Sequence, residues 1–154
     1  MQFVYVKNVG DLWFPKNHLG GSKYCPMRIQ RLKIPDLHKF TALNEYIAMA
    51  NYSKFVANSS KKNDTFIAMT EATSAKNRGE IQPILNKVDI IFHWYTRDLS
   101  HDPDNVRFAA KSILDGIVKA GILKDDSRKY INSFCDRYYI DSKNPRVEIE
   151  FVEG

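Results

Sequence analysis

The chain has 154 residues, 44% hydrophobic and 27% charged, with a formal net charge of +5 and a pI near 9.1. These are the figures of an ordinary soluble globular protein with one domain and one core. They exclude no partner, although the small basic excess leans toward a polyanion. The cysteines, Cys25 and Cys135, form no CxxC pattern, and the histidines His18, His38, His93 and His101 are scattered. That spacing argues against a zinc site and leaves a disulfide open. No segment is long or apolar enough to span a membrane, and MQFVYVKNVGDLW lacks the basic and long apolar runs of a secretory signal. A cytoplasmic protein is expected.

Residues 1–27 read as irregular. MQFVYV is a candidate short strand, and Pro15, Gly20, Gly21 and Pro26 punctuate a loop after it. Residues 28–34 (RIQRLKI) read as a strand that ends at Pro35. From Thr41, a fair N-cap, Leu43, Tyr46, Ile47 and Ala50 recur at helical spacing. A second helix is predicted over about residues 64–76, carrying Phe66, Ile67, Met69 and Ala72. The polar, basic stretch YSKFVANSSKKN lies between the two, and Gly79 and Pro83 close the region.

Residues 87–97 (KVDIIFHWYTR) make the best strand. Val88, Ile90, Phe92 and Trp94 face one way, and Asp89, Ile91, His93 and Tyr95 the other. Both faces are largely apolar or aromatic, which predicts a central strand in a covered sheet. The turn DLSHDPDN leads into the best helix. There Val106, Ala109, Ala110, Ile113, Leu114, Ile117 and Val118 follow helical spacing without a miss, and Gly121 stops it. After LKDDS come strands over about 131–140 and 146–152, and DSKNP is expected to join them as a hairpin. The outline is an α/β (α+β) fold, a small mixed sheet with helices packed on at least one face.

Chemistry concentrates where the best strand meets the best helix. Asp102 and Asp104 are two residues apart at a strand end, where their carboxylates can converge on one cation. Magnesium takes hard oxygen ligands and keeps several waters, so two or three carboxylates and a substrate phosphate suffice. A third acid, Asp125 or Asp126, reaches the pair only if the chain after Gly121 folds back along the helix. The same residues also suit plain structure. Asp102 before Pro103 is a standard helix start, Asp104 and Asn105 favour a first turn, and KDDS suits a solvated turn. The helix adds a stripe of Arg107, Lys111, Asp115 and Lys119. At 100° per residue, Lys111 and Asp115 fall within about 20° of the direction of Asp104. A lysine there can hold a phosphate or stabilise a leaving oxygen, and the stripe is also what the wet side of an amphipathic helix looks like.

The stretch HDPDNVRFAAKSILDGIVKAGILKDDSRKYI resembles the core of the RusA-like Holliday junction resolvases, most of all the phage-type branch. It runs D-x-DN, then KxxLDxLVKAG in outline, then an acidic pair. FCDRYYIDSKNPRVEIEF and LNEYI at 43–47 resemble that branch too. The resemblance covers about residues 84–152, with a weaker patch at 34–62, and makes 1–154 one RusA-like endonuclease domain with residues 1–27 as an N-terminal extension. It implies a homodimeric endodeoxyribonuclease that needs magnesium or manganese, uses no small-molecule cofactor and cuts four-way junctions or other branched DNA. A host cytoplasm is implied if a phage encodes it.

The family's three essential acids map onto Asp102, Asp104 and Asp126. Its helix lysine lies three residues after the DN asparagine in the bacterial pattern. That position is Phe108 here, and the lysine follows three residues later as Lys111. Asp115 matches a helix aspartate of the family with a supporting role. The implied reaction is attack of water on a phosphodiester, in line with the leaving 3′ oxygen, with Lys111 assisting through charge. Two such sites on a two-fold dimer suit paired nicks.

Candidate DNA contacts are Asn44, Lys54, Lys61, Lys62, Arg97, Arg107, Arg128 and Lys129, with Tyr46, Tyr52 and Phe55 interleaved among the first group. Trp94 and Phe92 read as core. Two other readings stay open: a broader nuclease for forks, flaps or single strands on the same scaffold, and a non-catalytic DNA-binding protein.

Overall fold

The computed structural model describes residues 27–154. The MQFVYV strand and the loop of Pro15, Gly20, Gly21 and Pro26 fall outside the described residues, as do His18 and Cys25. Strands β1 (Arg28–Pro35), β2 (Val88–Thr96), β3 (Ile131–Ile140) and β4 (Arg146–Glu153) form one mixed sheet in the order β1-β4-β2-β3. Helices α1 (Leu43–Tyr52), α2 (Lys54–Asn77), α3 (Pro103–Arg107) and α4 (Ala109–Lys119) complete an α+β fold. Among the described residues no helix is long and apolar enough to cross a membrane.

One sheet face builds the core. Leu32 and Ile34 of β1, Val147, Ile149 and Phe151 of β4, and Val88, Ile90, Phe92 and Trp94 of β2 are all buried there with Ala68 and Ala72 of α2 and Ile113 and Ile117 of α4. The alternation predicted for β2 is realised: Phe92 and Trp94 are fully buried and stack on each other at 5.2 Å.

The predicted hairpin does not form. β3 pairs parallel to β2, while β4 pairs antiparallel to β2 on its other side. A helical crossover through α3 and α4 separates β2 from β3, and such a crossover favours parallel pairing. The loop 141–145 therefore passes the end of β2 instead of turning between neighbours, anchored by the Asp141 N–H on Thr96 O at 2.8 Å. DSKNP has a hairpin's length and composition, but β4 gains more by lying between β1 and β2. There its core-facing side chains Val147, Ile149 and Phe151 are all buried. β3 is left at the edge with Ile131 as its one buried residue.

Two helix boundaries also differ from expectation. α2 begins at Lys54, ten residues before the predicted start, because its inward stripe is Ala57, Asp64, Thr65, Ala68, Ala72 and Ala75. Small and polar residues give weak hydrophobic periodicity yet let helices approach closely. Thr41 does not cap α1. Ala42 takes that position, its N–H donating to Glu45 at 3.1 Å. Thr41 is buried instead, its N–H donating to the Asp64 carboxylate at 3.0 Å.

The helix after β2 is interrupted at Phe108, which packs on Tyr46 at 5.0 Å between ring centres. It ends as predicted at Gly121, whose φ of 73° only glycine adopts freely. The Ile122 N–H reaches Ile117 O and the Gly121 N–H reaches Val118 O, which turns the chain back sharply.

On the second face of the sheet, His93 is buried, with Nδ1 3.1 Å from the Tyr139 hydroxyl and Nε2 3.7 Å from a Glu150 oxygen. Burial holds its pKa below the ordinary 6.5, against the pull of Glu150 and with Arg31 and Arg137 acting in the same direction as burial. A neutral folded-state histidine means that the unfolded chain binds the extra proton first. His93 therefore costs stability as pH falls through 6.5 toward its folded value. The thermal midpoint is expected to drop between pH 7.5 and 5.5, and to drop less in His93→Gln; equal slopes in the two proteins would contradict this.

Candidate active site

The C-terminal end of β2 and the start of α3 carry the two leading acids. Asp102 takes the N-cap position with Pro103 at the first helical position, as its sequence suggests. Its side chain makes no capping hydrogen bond, so its exposed carboxylate stays available. Asp104, also exposed, accepts only its neighbour's N–H, from Asn105 at 2.9 Å, among the described contacts. Asn105 is buried and ties the segment down. Its Oδ1 accepts the Asn44 N–H at 2.9 Å, and its Nδ2 donates to His101 Nδ1 at 2.9 Å.

Asp104 lines an open cavity of about 400 Å³ with Lys61, Arg107, Phe108, Lys111 and Ser112. The stripe predicted along the helix thus survives the interruption at Phe108, since Asp104 and Lys111 border the same space. Lys111 Nζ donates to Asp115 at 2.8 Å and to Asp126 at 2.5 Å. Those two bonds, Asp115 first, raise its pKa and hold it protonated. The bond to Asp126 also settles a point that sequence spacing leaves open. After Gly121 the chain does fold back along α4, and it is Asp126 that meets Lys111. Asp125 turns to Ser127 instead, and that hydrogen bond lowers its pKa.

Lys111 thus borders the cavity of Asp104 and bonds Asp126, and Asp102 stands two residues before Asp104, but the three acids form no finished cluster. Among the described residues no three acids, histidines or cysteines stand close enough together to hold an ion. The donor set nonetheless fits magnesium or manganese in kind. Two carboxylates are uncommitted, a third is held through one lysine, and such ions bind through few carboxylates and retained waters.

The predicted basic residues fall into three groups. Lys61 and Arg107 join the acid cavity; Lys61 Nζ also lies 4.5 Å from the Tyr46 ring centre. Arg97 lines a separate cavity of about 300 Å³ with His38, Glu45, His101 and Asn105. Lys54, Lys62, Arg128 and Lys129 are exposed, and Asn44 serves through its backbone N–H. Cys135 is exposed and free.

Asp136 is a site residue that sequence reasoning missed. It accepts the Trp94 indole N–H at 2.8 Å and the Arg107 Nε–H at 2.5 Å, so β3 sets where Arg107 stands beside the acids. The Tyr138 hydroxyl adds a bond to Pro103 O at 3.2 Å. The signal for Asp136 is present in the sequence in principle: a buried tryptophan needs an acceptor. Which acid supplies it depends on β3 lying beside β2. No family model matches the chain, and no curated protein matches it.

Proposed function

We propose that this chain is a metal-dependent endodeoxyribonuclease of the RusA-like type that cuts four-way junctions or other branched DNA as a homodimer. The observation that carries the reading is one open cavity lined by Asp104, Lys61, Arg107 and Lys111, with Asp126 joined to it through its bond to Lys111. Carboxylates repel a phosphodiester unless cations stand among them, and here both kinds of group share one space.

On this reading Asp102, Asp104 and Asp126 hold magnesium or manganese. The bound ion supplies charge against the scissile phosphate and acidifies the attacking water. Lys61 and Arg107 attract and orient the phosphodiester, Arg107 from a position set by Asp136. Lys111 is held protonated, which suits a cation that balances charge at the leaving oxygen. Asn105 keeps the loop bearing Asp102 and Asp104 against α1.

A non-catalytic DNA-binding protein is favoured by one feature, the occupation of Asp126 by Lys111 without a gathered acid cluster. The deciding assay incubates the protein with labelled four-way junction, Y-fork and linear duplex, in magnesium, manganese or EDTA. Paired, symmetric nicks in the junction that require the metal support a junction-resolving enzyme. Metal-dependent cutting of every substrate supports a broader nuclease. Tight junction binding without cutting in either metal overturns the enzyme.

A further inference from the structure

We propose that the corner where α1 meets α2 is a stacking surface for unpaired DNA bases, with Tyr52 and Phe55 as the rings and Lys54 and Lys62 as phosphate contacts. This rests on the DNA reading above and adds to it a contact outside the acid cavity. Tyr52 is 85% exposed and Phe55 80%, among the most exposed large apolar side chains described. Single exposed rings are ordinary. Two rings three residues apart, and so within about 11 Å of each other along the backbone, are a surface. Ser53 creates it: its extended backbone, φ −161° and ψ 126°, breaks the helix between the two aromatics. No residue of α1 is fully buried, so nothing described covers the corner.

Charge selects the occupant. Residues 51–63 hold Lys54, Lys61 and Lys62 and no acid. Phe55, Ser59, Lys62 and Phe66 fall on one exposed stripe of α2 at helical spacing. Lysine is depleted at the centre of protein interfaces, whereas aromatics interleaved with lysines suit a nucleic-acid strand. The surface lies near the proposed site. Lys61 borders the acid cavity, and Phe55 lies six residues before it on the same helix, a rise of about 9 Å and about 120° round its axis. A strand whose phosphate sits by Asp104 would extend along these turns to the corner. A base stacked inside a duplex offers no free face, so the rings act only where pairing is interrupted, as at a branch point or in a single strand.

The test uses 2-aminopurine at the branch point of a four-way junction, in a single strand and in the middle of a linear duplex, with EDTA present to prevent cutting. Wild-type protein is expected to change the fluorescence of the junction and the single strand but not of the duplex. Tyr52→Ala/Phe55→Ala should lose that change and bind the single strand about tenfold or more weakly. Lys54→Gln/Lys62→Gln should keep it and show a flatter salt dependence. An aromatic variant that melts like wild type and keeps the signal overturns the inference. So does a wild type that binds no DNA, or a corner whose substitution alters self-association in sedimentation but not DNA binding. Junction cutting by a wild type whose signal ignores the corner removes this inference alone. Corner-dependent binding without cutting in magnesium or manganese removes the nuclease alone.

Discussion

Asp104→Asn is expected to reduce metal-dependent cutting of a four-way junction at least a hundredfold, roughly the scale of losing one essential charged group from a site. DNA binding should be retained or tightened. The amide keeps the size of the carboxylate but removes its charge from a cavity that Lys61, Arg107 and Lys111 share. With that charge gone, those cations attract phosphate against one fewer opposing carboxylate, while on the proposed reading the site loses a ligand for the ion. The fold should change little, because the side chain is exposed and its helical role is that of a first-turn acid, worth about 0.3–1 kcal/mol. Cleavage gels and binding titrations in EDTA, run on the same preparation, give both readouts. Full cutting by the variant would remove Asp104 from the site, and a marked loss of binding with an unchanged melting curve would show the cavity to be something other than a phosphate site.

Gly116→Ala carries the largest expected effect on stability. A Cβ built on Gly116 would lie 2.6 Å from the Ala68 Cβ, 2.6 Å from the Met69 backbone N and 2.9 Å from the Ala68 backbone C. Two of those three atoms are backbone of α2, and α2 cannot retreat simply, because Ala68 and Ala72 are fully buried. Alanine within a helix gains about 1 kcal/mol over glycine, whereas overpacking of this kind costs about 3 kcal/mol. The clash wins by about 2 kcal/mol, a fall in thermal midpoint of about 4–8 °C for a chain of this size. Ala68→Gly in the same protein should restore only part of it, since the contact with Met69 remains. Because α4 also carries Lys111, a displaced helix is expected to disturb the bond to Asp126 and lower cutting as well. A midpoint equal to or above wild type would mean that α2 and α4 are farther apart than the structure places them.

Much of this protein is decided locally. The pattern of KVDIIFHWYTR is enough to set β2 inside a sheet, although the core described lies on the one face that carries Val88, Ile90, Phe92 and Trp94. The spacing from Val106 to Val118 and the glycine at 121 are enough to make and end a helix, since amphipathic periodicity and a left-handed turn are properties of a few consecutive residues. The position of Asp104, Lys111 and Asp115 on one helical face follows from the same geometry. What chain-local patterns do not contain is which elements become neighbours. DSKNP looks like a hairpin until β2 takes the place beside β4, and only the total burial of the sheet decides that competition. The first ten residues of α2 look like a linker because Ala57 is their one buried side chain, and a single small inward residue leaves no hydrophobic period to read. Asp126 rather than Asp125 meets Lys111 because of how the chain leaves Gly121, and Asp136 reaches Arg107 because β3 runs parallel to β2. Spacing along the chain could propose the acids; bringing the third of them to the lysine required the tertiary fold.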